Sequence, residues 1–295
     1  MLKSLSVSDV DFIYGYMILK SYFFKIKTNI ENSDYPNSEY VRRWREFCNR
    51  TDFESLLRKA FDLISTPPSS DCLNLFDCLD RSSYFALIHK EHPNITLGFI
   101  KDADLWDLWL REGIFRVARE KTAEMLSLSN GDKVVDFGCG SSSPLFYGEI
   151  VGPNGLYSGI DFSKPLLNLA RIRVRENHLD WVNLRQEYVD TRLIFKRRYD
   201  YVICSSILQY ADVGAVLRNA IEALGGNGVI VIFSEVFSDL EPEKAELFEL
   251  YYSLIPQFKR FPSVTEILNY LSQFCEYRYK LLDKNFLKIE VLDVI

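Results

Sequence analysis

The sequence predicts a doubly wound, mostly parallel α/β sheet, preceded by a section built of helices. Three observations carry that expectation. Lys133–Pro144, KVVDFGCGSSSP, is an apolar strand that runs into a loop with two glycines and then a helix start. Leu156–Asp161, LYSGID, alternates into a second strand closed by an acid, and Ser163 follows as the cap of a helix to about Glu176. Gly228–Phe233, GVIVIF, is a continuous apolar run, as expected of a strand covered on both faces.

In the first run Val134, Val135 and Phe137 are apolar and Asp136 is the one acid. Gly138 and Gly140 let a ligand approach the backbone where a side chain would block it. Ser143 reads as the cap of the next helix, with Pro144 at its first position. Ligands of such sheets lie beyond the carboxyl ends of the strands. A dinucleotide fingerprint, G-x-G-x-x-G, would need its third glycine at Ser143 and is absent.

The pattern then continues. Val182–Tyr188 predicts a third strand and Tyr199–Cys204 a short buried fourth. Val213–Leu224 has helical spacing and stops at Gly225-Gly226. Tyr277–Leu282 and Phe286–Val294, joined by Asp283-Lys284-Asn285, read as a β-hairpin.

Upstream the chain reads as helices. Phe12–Phe24 is apolar almost all round, so it must be buried, either inside an N-terminal bundle or at a homodimer contact. Membrane-surface association is the alternative, and it lacks the basic face such helices carry. Ser38–Asn49 and Asp52–Ile64 are periodic, the second opening at Thr51 or Asp52, and Thr66–Ser70 breaks the pattern. A long amphipathic helix from about Asp104 to Leu126 leads into the first strand. The expected division is a helical cap over 1–102 and the sheet domain over 103–295.

Composition bounds the function. The net charge of −6 divides as +2 over residues 1–60, −4 over 61–125 and −4 over 126–295, so no segment has a nucleic-acid surface. Six cysteines without a C-x-x-C pair read as reduced thiols of a cytoplasmic protein. No run is long enough to span a membrane, and three scattered histidines make no metal set.

D-x-G-x-G at Asp136–Gly140, followed by a small residue, resembles the cofactor loop of class I S-adenosylmethionine-dependent methyltransferases. YDYVICSSILQY and EALGGNGVIVIF resemble that family at matching places, so the resemblance covers about Leu126–Ile295. It implies a Rossmann-like sheet of seven strands, the last antiparallel, with N-terminal helices that cover the cofactor and build the substrate pocket. The cofactor it implies is S-adenosylmethionine. Gly138 and Gly140 would present backbone to its methionine end, with Cys139 as a packing residue between them and Ser142 in place of a third glycine. Asp136 would orient the loop or bind the amino group. Asp161, followed by Phe162, would take the ribose hydroxyls. Counting along the third strand places the adenine site at Glu187 and Tyr188; a two-residue shift would place it at Asp190. Ser205 would lie near the sulfonium.

A sulfonium makes its methyl group electrophilic, so the protein need only align a nucleophile, exclude water and remove a proton where required. Candidates for that last task are His89, His92, Tyr210 and Glu235, with Gln209 beside them; histidine is the usual base near neutrality. Methyltransferases acting on amino groups of adenine or glutamine carry Asn/Asp-Pro-Pro-Tyr/Phe after the fourth strand. Here Ser205-Ser206-Ile207-Leu208 stands there, and Ser-Ser-x-Leu-x-Tyr is similar to the small-molecule group that includes quinone biosynthesis. The expected acceptor is a small organic molecule with an O-, N- or C-nucleophile. A protein or other macromolecule as acceptor, or a non-catalytic S-adenosylmethionine-binding module, are the alternatives.

Overall fold

The apolar runs separated by glycine- and serine-marked turns become strands, and the segments between them become helices. In a computed structural model the described residues are 12, 14–22, 38–64, 107, 110–111, 113–253 and 257–294. Five parallel strands, β1 (Lys133–Phe137), β2 (Leu156–Asp161), β3 (Val182–Gln186), β4 (Tyr201–Ser205) and β5 (Gly228–Phe233), meet a hairpin of β6 (Cys275–Leu282) and β7 (Phe286–Val294). β7 runs antiparallel to β5, and the seven-stranded order is β3-β2-β1-β4-β5-β7-β6. The order reverses at β1, which has β2 on one side and β4 on the other, so the ligand crevice of such a sheet opens there.

The central strands are apolar because both faces are covered. Val134, Tyr157, Ile203 and Val231 share one core with α4 (Gly113–Leu126), α5 (Ser143–Val151) and α6 (Lys164–Glu176). Val135, Ile160, Val202 and Ile232 share the opposite core with α7 (Val213–Leu224) and α9 (Val264–Leu271). Local chemistry sets the ends. Ser163 Oγ accepts from Leu166 N, Asp212 caps α7 by accepting from Ala215 N, and Gly225 ends it in the left-handed region.

Several boundaries differ from the sequence reading. β4 starts at Tyr201 and β3 ends at Gln186, two residues inside the predicted limits. α5 begins at Ser143 with Ser142 as its cap, one residue earlier than the serine–proline pattern predicts. α8 (Pro242–Tyr252) and α9 were not predicted. α8 buries Leu247, Phe248, Leu250, Tyr251 and Tyr252 together, which blurs its helical period.

The N-terminal helices α1 (residues 14–22), α2 (Ser38–Arg50) and α3 (Phe53–Leu63) bury Tyr14, Met17, Ile18 and Trp44 in the core shared with α8. Trp44 meets the Tyr251 ring edge-on at 5.7 Å. Asp52 caps α3 by accepting from Glu54 N and Ser55 N. Phe23, Phe24, Thr66–Ser70, Cys72, Cys78, His89 and His92 lie outside the described residues. Among the described residues no helix is long and apolar enough to cross a membrane. Cys48, Cys139, Cys204 and Cys275 are free and buried.

Candidate active site

The loop after β1 is pinned to β2 by backbone and carboxylate together. Gly138 N and Cys139 N donate to Ile160 O at 2.8 and 3.2 Å, and Gly140 N donates to Asp161 Oδ2 at 2.8 Å. Gly138 has φ +77°, and a Cβ there would sit 3.0 Å from the Ile207 side chain. The positive φ favours glycine, and an added Cβ would press on the Ile207 side chain. Ser142 is right-handed, φ −113°, so no glycine is needed where the sequence lacks one. Cys139 lines the cleft, but its Sγ lies against Gly159, and burial pushes its thiol well above the ordinary range; it fills space.

A cleft of about 690 Å³, its open mouth included, starts at this loop and extends over the ends of β4 and β5. A contiguous hollow of about 370 Å³ shares Gly138, Asp161 and Phe162 and continues to Tyr188 and Asp190. Asp161 stands at their junction. Its Oδ1 accepts from Ser163 N at 2.8 Å and its Oδ2 from Gly140 N, and the Phe162 backbone N–H is a third donor to the carboxylate. Burial raises its carboxyl to about 6 despite those donors. Phe162 and Tyr188 stack at 5.4 Å beside it.

Glu187 does not line either hollow. Arg185 takes both its carboxylate oxygens at 2.8 Å, turning it away, and Asp190 is the acid at that end. Asp190 is the residue that the shifted count along β3 reaches.

Asp136 lies beneath the loop, outside the cleft lining. Tyr157 donates to its Oδ2 at 2.6 Å, while its Oδ1 is buried without a hydrogen-bond partner among the described residues. Burial raises this carboxyl to about 7. Ser205, Ser206, Tyr210 and Glu235 line the other end of the cleft, joined by Phe115 and Arg119 from α4 and Tyr252 from α8. Arg119 is 6% exposed, and its Nε has no hydrogen-bond partner among the described residues.

Sequence reasoning missed Arg119, Ile207 and Tyr252. Arg119 stood on a predicted amphipathic helix, where no motif singles it out. Tyr252 lies in a helix that was not predicted. Among the described residues no group of three or more His, Cys, Asp or Glu is arranged to hold a metal ion. Two buried carboxyls, Asp161 and Glu235, and the Arg119 guanidinium line this cleft with Asp136 beneath it, so it suits a ligand that carries groups of both charges.

Comparison with known proteins agrees with the geometry. A family model described as a methyltransferase domain matches residues 128–272. An uncharacterised protein of Methanocaldococcus jannaschii is 30% identical over 87% of this chain and 74% of its own length. A ubiquinone biosynthesis O-methyltransferase of Rhodopseudomonas palustris is 26% identical over 52% of this chain; the match spans only 54% of that relative. An O-methyltransferase family protein of Burkholderia thailandensis has the same fold, with TM-score 0.55 and 14% identity over 76% of this chain and 71% of its own.

Proposed function

The chain belongs to the S-adenosylmethionine-dependent methyltransferase family, and on that premise we propose that it transfers the methyl group to a small organic acceptor. The observation that carries this reading is the enclosure of the cleft's far end. Phe115 from α4 and Tyr252 from α8 wall it in beside Tyr210 and Glu235, and Leu110 and Ile207 close over the glycine loop. Such a hollow suits a small apolar body and leaves no open track for a polymer. The name of the ubiquinone-biosynthesis relative supports the same class.

The residues present fit the cofactor. Bound here, S-adenosylmethionine supplies an electrophilic methyl group on a sulfonium. Asp161, at the junction of the two hollows, keeps acceptor capacity for a ribose hydroxyl beside its three backbone donors. The unpartnered Nε of Arg119 suits the methionine carboxylate. Gly138 and Gly140 offer backbone without side chains, and Phe162, Tyr188 and Asp190 frame the adenine end. Ser205 and the aromatic walls hold the reacting end and exclude water. Residues 1–102 act as the cap over the domain formed by 103–295.

Calorimetry with S-adenosylmethionine, its demethylated product and NAD tests the cofactor half. Binding of the first two and not the third is expected; NAD binding alone would overturn it. Release of demethylated cofactor with small hydroxy-aromatics, and not with RNA or protein, tests the acceptor half. Turnover only on a macromolecule, or binding without any turnover, would overturn that half.

A further inference from the structure

Glu235 is a buried carboxyl at the acceptor end of the cleft. It stands two residues beyond β5, beside the end of β4, and is 2% exposed while lining the hollow. Its backbone is clamped. Asn285, in the turn between β6 and β7, donates its Nδ2 to the carbonyls of Ser234 and Glu235 at 3.0 and 2.8 Å. The side chain faces the hollow. Gln209 Nε2 reaches Oε2 at 3.3 Å and the Tyr252 hydroxyl reaches Oε1 at 3.4 Å, both at the long end of hydrogen bonding, and Ser206 and the Glu235 backbone N–H also act on the carboxyl. A well-anchored acid that lines the cleft, with side-chain donors this long, can exchange one of them for a ligand's hydroxyl.

Resting on the methyltransferase reading above, we propose that Glu235 is the proton acceptor of the transfer and that the methyl acceptor is an aromatic hydroxyl, a phenol or catechol. The walls beside it, Phe115, Ile207, Tyr210 and Tyr252, suit a flat ring. Burial pushes the Glu235 carboxyl above the ordinary range. A sulfonium in the same cleft pulls it back toward ionisation, so the base is armed when the donor is bound. A phenol, with a pKa of about 10, is within reach of such a base; an aliphatic alcohol is a far weaker acid, and an amine needs no deprotonation before attack.

The step balances within the site. A lone pair of the aromatic oxygen forms the new O–CH3 bond, the C–S pair returns to sulfur as a thioether, and the hydroxyl proton passes to Glu235. The groups facing that proton are Ser206, Gln209 and Tyr210 after β4, Tyr252 on α8 and Asn285, with Arg119 lining the same cleft from α4.

Two measurements on the full chain test this. In calorimetry near pH 7 in buffers of different ionisation heat, S-adenosylmethionine should release more protons on binding than its demethylated product, which lacks the charge. Glu235→Gln should erase that difference, still bind both ligands, and lose part of the preference for the charged one. Equal proton release in the parent would overturn the placement of Glu235 beside the reacting centre. In turnover with catechol, phenol, aniline and benzyl alcohol, the hydroxylated rings should be methylated and benzyl alcohol should not. Glu235→Gln should lower kcat about 100-fold, with KM little changed and the rising limb of the pH profile lost. Glu235→Asp should recover part of the rate, and melting curves should show both variants folded. Catechol or phenol turnover that ignores Glu235→Gln, or no turnover of any aromatic hydroxyl, would overturn the proposal. Intact cofactor binding in those samples would leave the methyltransferase reading standing.

Discussion

Asp107 takes both terminal guanidinium nitrogens of Arg173, at 2.6 and 2.7 Å, and so ties a helical turn ahead of the sheet to the helix after β2. Arg173 also donates to Ser141 O at 3.1 Å, within the loop between β1 and α5. On the same turn Leu110 lies over Gly140, where an added Cβ would meet it at 2.7 Å. Asp107, paired with Arg173 and also with Arg111 at 3.1 Å, therefore holds a cover on the loop after β1.

Asp107→Asn should loosen that cover and weaken S-adenosylmethionine binding by about 1 kcal/mol, roughly fivefold, since the pair is partly open to solvent. Calorimetry checks it, and Arg173→Gln should match without adding to it in the double variant. Burial alone would raise Asp107, yet the bonds from Arg173 and Ser141 outweigh it and the carboxyl sits below the ordinary range. A lowered folded value means the contribution is full above the ordinary aspartate pKa and is lost as pH falls through the lowered one.

Asp161→Ala should weaken cofactor binding by about 1.5–3 kcal/mol, because it removes charge-assisted hydrogen bonds to the ribose. It also frees the Gly140 N–H that Asp161 now holds at 2.8 Å. A folded variant with unchanged affinity would remove the ribose assignment.

Gly138→Val should abolish binding. The residue has φ +77°, and its Cβ would meet Ile207 at 3.0 Å. A β-branched side chain is excluded on both counts. Normal binding by this variant would mean the loop is not the cradle.

The parts legible in the sequence were those with a local signature. β1, β2 and β5 announce themselves as apolar runs, and Gly138 and Asp161 stand at strand ends where only a ligand or a turn explains them. Glu187 and Asp190 show where such reading stops. Both are acids after β3, and only the side-chain pairing with Arg185 reveals which one faces away. Arg119 and Tyr252 are set by helix packing between segments distant in sequence, and no spacing rule encodes that.

Asp136 makes stability depend on pH. Its carboxyl is raised to about 7, chiefly by burial, with the Tyr157 bond acting against the rise. A raised folded value means the native state binds the proton more tightly than the unfolded chain. Stability is therefore highest below the ordinary aspartate pKa and falls as pH climbs toward about 7. Asp136→Asn imitates the neutral form and should gain on the parent between pH 5 and pH 8, by on the order of 2 kcal/mol. Asp161, whose charge also raises Asp136, titrates in both proteins, so the comparison reads the coupled pair against Asp161 alone. A constant difference in Tm across that range would show that Asp136 does not titrate there.

Removal of residues 1–102 tests the cap. Met17, Ile18 and Trp44 are at most 1% exposed, and Trp44 is seated edge-on against Tyr251. Each such side chain contributes roughly 2 kcal/mol of burial, so a chain beginning at Ala103 uncovers an apolar face on α8. The next residue, Tyr252, lines the cleft and reaches Glu235. Loss of the cap therefore frees the wall of the acceptor end while leaving Gly138 and Asp161 in place. The shortened protein should bind S-adenosylmethionine within about tenfold of the full chain, because the ribose and loop contacts remain. It should bind a hydrophobic dye, self-associate on a sizing column and lose methyl transfer, since an open pocket admits water and no longer aligns the acceptor. A soluble monomer as active as the full chain would make the N-terminal helices a dispensable appendage.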